Sequence, residues 1–289
     1  MVSGRKDGKV LTVTANGAQR ASRHRSISFV FAAAIATLMA VGGLVAEPHP
    51  VQAASIKVVI VVGPTGSKTS EYIGNARAIA RQARGYGAKV HEIYSPNATW
   101  SRVKQFARGA NLFVYLGHGN GWPSPYAPFQ KYTKDGLGLN SRSGAGDHNT
   151  KYYGEHYLAK ELRLAPNAVV LLHRLCYASG NSQPGYGNPS RSVAHQRVDN
   201  YGAGFLRTGA SAVFAEGWRS TEYILHGLFR TNRSISQIFW SSSQATRRYS
   251  SSFTSRRTAG MQAILDPYHA GGYYRSVVGK LGMTASQWR

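Results

Sequence analysis

Two periods of apolar spacing alternate along residues 56–216, and each change of period marks a new predicted element. Ile56–Val62 is an unbroken, β-branched run, as a central parallel strand covered on both faces requires. Gly63-Pro64-Thr65-Gly66 then turns the chain. Ser70–Tyr86 takes helical spacing: Ile73, Ala76, Ile79, Ala80 and Ala83 share one face, while Arg77, Arg81 and Arg84 lie off it. Gly85 and Gly87 end that helix. A strand over Lys89–Tyr94, a helix over Thr99–Ala107 and a strand over Leu112–Leu116 follow.

This βαβαβ order implies right-handed crossovers and a parallel sheet, so the predicted class is α/β. Residues 119–153 are rich in Gly, Ser and Tyr and too long for a plain connector, which predicts a functional loop or a small excursion. Tyr157–Leu164 predicts a short helix and Ala168–Leu172 a fourth strand. A Gly- and Pro-bearing loop covers Ser179–Ser192, then a helix Val198–Arg207 and a fifth strand Ala212–Ala215. Tyr223–Phe229 and Ile235–Thr246 take helical spacing, and Ser250–Arg257 reads as an exposed tail. The expected organisation is one domain over 55–289 with a helical, Ser/Arg-rich C-terminal part.

Residues 1–54 read as an export leader with a basic N-terminal extension. Arg20, Arg23 and Arg25 precede the apolar stretch Ile27–Ala46, and small residues at Val51-Gln52-Ala53 or Gln52-Ala53-Ala54 offer cleavage sites. An uncleaved membrane anchor is the alternative, disfavoured by the helix-breaking Glu47-Pro48-His49-Pro50. Export implies a secreted or envelope-associated protein, with no membrane insertion once the leader is cut. The chain carries 35 Lys and Arg against 12 Asp and Glu, a net charge of +23, which favours polyanionic partners. The charges are scattered, and no nucleic-acid-binding signature accompanies them, so anionic cell-wall polymers fit better than nucleic acid.

The single cysteine, Cys176, excludes an internal disulfide. It follows the buried-strand run Ala168–Leu172, on the segment leaving that strand. Another apolar run, Leu112–Leu116, ends in Gly117-His118-Gly119. An imidazole and a thiol just past two strand ends form the layout of a Cys-His nucleophile pair. His118 then serves as general base and acid, and Arg174 adds positive potential near the thiol.

Leu116-Gly117-His118-Gly119 resembles the histidine motif of gingipains and CHAT domains. Val170-Leu171-Leu172 with Cys176-Tyr177-Ala178-Ser179-Gly180 resembles the CHAT cysteine motif. The passage from Gly204 through Gly209 to Val213, with Trp218, is similar to the CHAT region after the cysteine. The chain thus resembles the caspase-like cysteine peptidases over roughly Ile56 to Trp218. The resemblance implies a three-layer sandwich around a mostly parallel sheet and an endopeptidase that works through a thioester acyl-enzyme. It also implies Cys176 as nucleophile, His118 as its partner, and an oxyanion hole of the Gly119 and Cys176 backbone N–H groups. Leu175 departs from the small residue usual before the cysteine. Such enzymes select the residue before the cut by complementary charge. Asp147, Asp199 and Glu216 lie on segments that approach the cleft, but single acids more often form ion pairs or caps, and none is assigned.

Other chemistry fits less well. Gly63–Thr69 lacks the glycines of a phosphate loop, since Ser67 and Val62 stand where glycine is needed. His148, His156, His173 and His195 show no zinc spacing, so neither metal nor cofactor is expected. Asn97 and Asn232 begin glycosylation sequons. The alternative to a peptidase acting on proteins or peptides is a non-catalytic cationic protein of the same fold that binds anionic envelope polymers.

Overall fold

The structure, a computed structural model, describes residues 55–218 and 220–289. The leader, its cleavage sites and the alternative membrane anchor, all expected within 1–54, lie outside these residues. No helix among the described residues is long and apolar enough to cross a membrane.

Five strands form the parallel part of the sheet: β1 (Lys57–Val62), β2 (Lys89–Tyr94), β3 (Leu112–Leu116), β6 (Ala168–His173) and β7 (Ala210–Glu216). They lie in the order β2-β1-β3-β6-β7. The helices between them are α1 (Thr69–Gly85), α2 (Trp100–Ala107), α3 (Glu155–Glu161) and α4 (Arg191–Leu206). Period-two geometry sends successive strand side chains to opposite faces. Val59, Val61, Phe113 and Tyr115 enter one apolar cluster with Val103 of α2, Leu158 of α3 and Val198 and Phe205 of α4. Val58, Ile60, Leu112 and Val114 enter a second cluster with Ala76, Ile79 and Ala83 of α1. Two covered faces explain why these strands read as continuous apolar runs rather than alternating ones.

That second cluster also takes in α5 (Glu222–Arg230), α6 (Ile235–Trp240) and α7 (Ala285–Trp288). The molecule is therefore α/β, with helices on both faces of a mostly parallel sheet, as a three-layer sandwich requires. Each fully buried Leu, Ile, Val or Phe contributes roughly 1.5–3 kcal/mol, so the two clusters are the main stabilising term.

The C-terminal part departs from its helical expectation. Three further strands, β8 (Ser251–Thr254), β9 (Gln262–Leu265) and β10 (Arg275–Gly279), extend the sheet antiparallel as β7-β10-β9-β8. The expected exposed tail is thus an edge strand, and the sheet has eight strands of mixed direction. The long 119–153 stretch is the small excursion: it holds a two-stranded hairpin of β4 (Leu137–Asn140) and β5 (Thr150–Tyr153). Helix α4 begins seven residues before its expected start, because Ser190 caps it by accepting the Val193 N–H at 3.3 Å.

Candidate active site

The site begins with strand register. Val62 pairs with Leu116, Leu116 with His173, and His173 with Glu216. Four strand ends therefore stand abreast, and the loops that follow them share one edge of the sheet. His118 leaves β3 two residues past Leu116, and Cys176 leaves β6 three residues past His173. Ligand sites of open parallel sheets lie at this carboxyl edge.

The two loops touch at Gly119. A Cβ built there would lie 2.0 Å from the Cys176 carbonyl oxygen and 2.8 Å from the Cys176 nitrogen. Only a glycine tolerates that approach. Gly117 is required for a similar reason: its Cβ would meet the Tyr115 hydroxyl at 2.2 Å. That hydroxyl is completely buried, accepts the Gly138 N–H at 2.9 Å, and lies 2.8 Å from the Gly138 oxygen and 3.1 Å from the His118 oxygen. It fixes the His118 loop to β4. The glycines flanking His118 thus allow close packing on both sides of the imidazole.

Backbone strain shapes the thiol segment. Arg174 and Tyr177 both adopt the left-handed region, with φ of 60° and 70°. Each such non-glycine residue costs about 1–2 kcal/mol, so the surroundings must hold them. The Arg174 N–H donates to the Glu216 oxygen at 2.8 Å, and the Tyr72 hydroxyl donates to the Arg174 oxygen at 3.3 Å. The Tyr177 hydroxyl donates to Gln183 at 2.8 Å, and the Arg197 guanidinium lies 4.8 Å from the Tyr177 ring centre. Between the two strained residues, Leu175 turns into the core, 2% exposed. The bulky residue before the cysteine is thus absorbed by the interior.

Cys176 is half-buried and lines a cleft of about 240 Å³ with Tyr72, Arg174, Gln183, Tyr186 and Trp218. The residue is neither sealed in the core nor fully open. His118 is exposed, beside Gly138 of β4, where a Cβ would come within 3.4 Å of the His118 Cβ. Burial pushes the thiol above its ordinary value, opposed only by the Cys176 N–H. Desolvation by the surrounding loops lowers the imidazole below its ordinary value. Both shifts favour the uncharged forms. Neither the Gly119 nor the Cys176 N–H donates to another residue's backbone or side chain among the described residues.

The other candidates scatter. Arg174 extends to Glu71, with Nη1 2.6 Å from Oε1, so its charge is already paired. Asp147 accepts from the Ser95 hydroxyl at 2.6 Å, and Asp199 accepts from Ser255 and from the Arg256 N–H at 2.8 Å. Glu216 is fully buried against Arg275 at 3.2 Å. Lys68, in the loop that fails as a phosphate binder, pairs with Glu71 at 3.1 Å. His173 faces the Glu216 oxygen at 3.1 Å, its pKa pushed down to about 4 chiefly by burial. His195 bonds Ser251 at 2.9 Å, and His156 packs on Tyr132 and Tyr157. Among the described residues no three His, Cys, Asp or Glu side chains come close enough to hold a metal.

Sequence reasoning missed Tyr72, Tyr115, Arg197 and Tyr201, which brace the two loops. The Tyr201 hydroxyl accepts the Asn120 N–H at 3.0 Å, just past His118. Arg197 donates to the Pro123 oxygen at 2.7 Å and the Asn181 oxygen at 2.8 Å. These contacts join distant segments, so no local pattern announces them. Trp218 did have a signal: Glu216-Gly217-Trp218 repeats the strand-end, glycine, ring order of Leu116-Gly117-His118 in the same register. No protein-family model matches the chain, and no curated protein is similar to it.

Proposed function

We propose that the chain is a caspase-like cysteine endopeptidase, exported by its expected leader, that cleaves peptide bonds with Cys176 and His118. The observation that carries this reading is the contact at Gly119. It brings the imidazole loop against the thiol segment, whose Cys176 lines a cleft, and among the described residues the Gly119 and Cys176 N–H groups donate to no other residue.

The chemistry follows from the two pKa directions. At neutral pH the resting pair is a thiol and a neutral imidazole, so the thiol proton passes to His118 as attack begins. The sulfur lone pair forms a C–S bond, and the carbonyl π pair moves to oxygen. The Gly119 and Cys176 N–H groups stabilise that oxyanion, each worth about 10²–10³ in kcat by the general behaviour of such donors. The C–N bond breaks as His118 protonates the departing amine, leaving a thioester. Water then gives a proton to His118 and its oxygen to the acyl group, and the C–S bond breaks to restore the thiol.

Cys176→Ala should abolish hydrolysis of peptide amide reporters while leaving the melting temperature nearly unchanged. His118→Ala should lower kcat by about 10²–10⁴ yet leave a thiol that iodoacetamide still alkylates. Full turnover by the Cys176 variant would refute the assignment.

A further inference from the structure

The cleft beside Cys176 carries information about which substrate side chain it takes. Its volume, about 240 Å³, exceeds the roughly 150 Å³ that accommodates a benzene ring in an apolar protein cavity. Rings of Tyr72, Tyr186, Trp218 and Tyr274 line it, and Asn181 and Gln183 add amide groups. No Asp or Glu lines it among the described residues. Its one charged lining side chain among the described residues, Arg174, pairs with Glu71 at 2.6 Å through Nη1. Trp218 is 57% exposed and meets Tyr274 edge to face at 6.0 Å, so much of the indole remains available for stacking.

A lysine or arginine side chain entering this space finds no counter-charge, because Asp147, Asp199 and Glu216 are engaged elsewhere. Desolvating a cation without a partner is unfavourable. An acidic side chain finds a guanidinium whose charge is already shared with Glu71 through Nη1, although its Nε is buried without a partner. An aromatic ring needs no counter-charge and gains stacking on the existing rings.

We propose that this cleft receives the side chain on the acyl side of the cut bond and selects an aromatic ring there, with Trp218 as the specificity-determining residue. The proposal rests on the peptidase reading above for its catalytic meaning.

Two arms separate the pocket from the chemistry. Peptidyl chloromethyl ketones of one backbone, ending in Phe, Arg or Asp, alkylate a thiol by forming C–S and releasing chloride, without hydrolysis. Adduct formation at Cys176 is followed by mass spectrometry and normalised to iodoacetamide. The Phe reagent should react at least about tenfold faster than the Arg or Asp reagent, a discrimination within reach of a shaped, ring-lined pocket. Trp218→Ala should narrow that ratio to about threefold or less, again on the normalised scale. Equal or faster labelling by the Arg or Asp reagent overturns the proposal. So does failure of all three reagents while iodoacetamide still reacts. The second arm measures hydrolysis of the matching amide reporters. Ring-selective labelling without hydrolysis keeps the pocket and removes the peptidase.

Discussion

A methyl group on Gly119 would need the space that the Cys176 carbonyl oxygen fills, 2.0 Å away. Gly119→Ala should therefore push the two site loops apart. On the proposed mechanism, hydrolysis should fall by about 10²-fold or more, because the Gly119 N–H would no longer be placed to meet the oxyanion. Gly146→Ala is the control, since no atom lies within 4 Å of the added carbon, and it should leave the rate unchanged. Steady-state kinetics on both variants checks this. The thiol offers a second test. Burial raises its pKa, so in the free protein iodoacetamide alkylation should climb with a midpoint above the ordinary 9.0. A rate already at plateau near pH 6 would mean a preformed ion pair. At this scale the strand-end placement of His118 and Cys176 was legible, because each is set just after an apolar run. Tyr72 and Arg197 were not, because their contacts exist only once the chain has folded.

The segment from Asn120 to Asp135 shows how one element is held beside the imidazole. Asn120 anchors it: its Nδ2 donates to the Thr133 oxygen at 2.9 Å, and its Oδ1 accepts from Lys134 Nζ at 2.9 Å. Asp135 closes it by accepting the Trp122 N–H at 3.0 Å, while its second carboxyl oxygen is buried without a partner. Burial, with Glu155 nearby, pushes the Asp135 pKa up to about 8, against the opposing effects of the Trp122 N–H, Arg257 and Lys134. The folded state thus keeps a proton that the unfolded chain loses near pH 3.8, so this residue's contribution to stability falls between pH 4 and 8. Asp135→Asn keeps the acceptor and removes the ionisation. It should match the parent at pH 4 and exceed it by about 1–3 kcal/mol at pH 8 in urea titrations. Elements with two covered faces, such as β1, β3 and β6, stood out in the sequence. β8 and β9 have four residues each, and β10 opens on an arginine, so all three lacked a periodic signature.

Across the whole molecule, Arg275 is where the added antiparallel strands lock onto the parallel sheet. It lies 3.2 Å from Glu216 of β7 and 2.6 Å from Asp266 beyond β9, and it donates to the Phe239 oxygen of α6 at 2.8 Å. All three charged side chains are essentially buried. In the sequence an arginine between two tyrosines and a serine reads as solvated, since its partners are remote. Arg275→Met should cost about 3–5 kcal/mol, because two carboxylates would be left in the interior. Burial already pushes the Glu216 pKa up to about 7, and without the opposing Arg275 charge it would rise further, so the loss should be larger at pH 8 than at pH 5 in denaturant titrations.

The alignment of Val62, Leu116, His173 and Glu216 has a metric consequence. Strands about 4.8 Å apart put three gaps, roughly 14 Å, between the Val62 and Glu216 tips. A fully extended chain draped crosswise advances about 3.4 Å per residue, so roughly four residues bridge that width. On the proposed function, a peptide laid across this stretch of the edge would span it with about four residues.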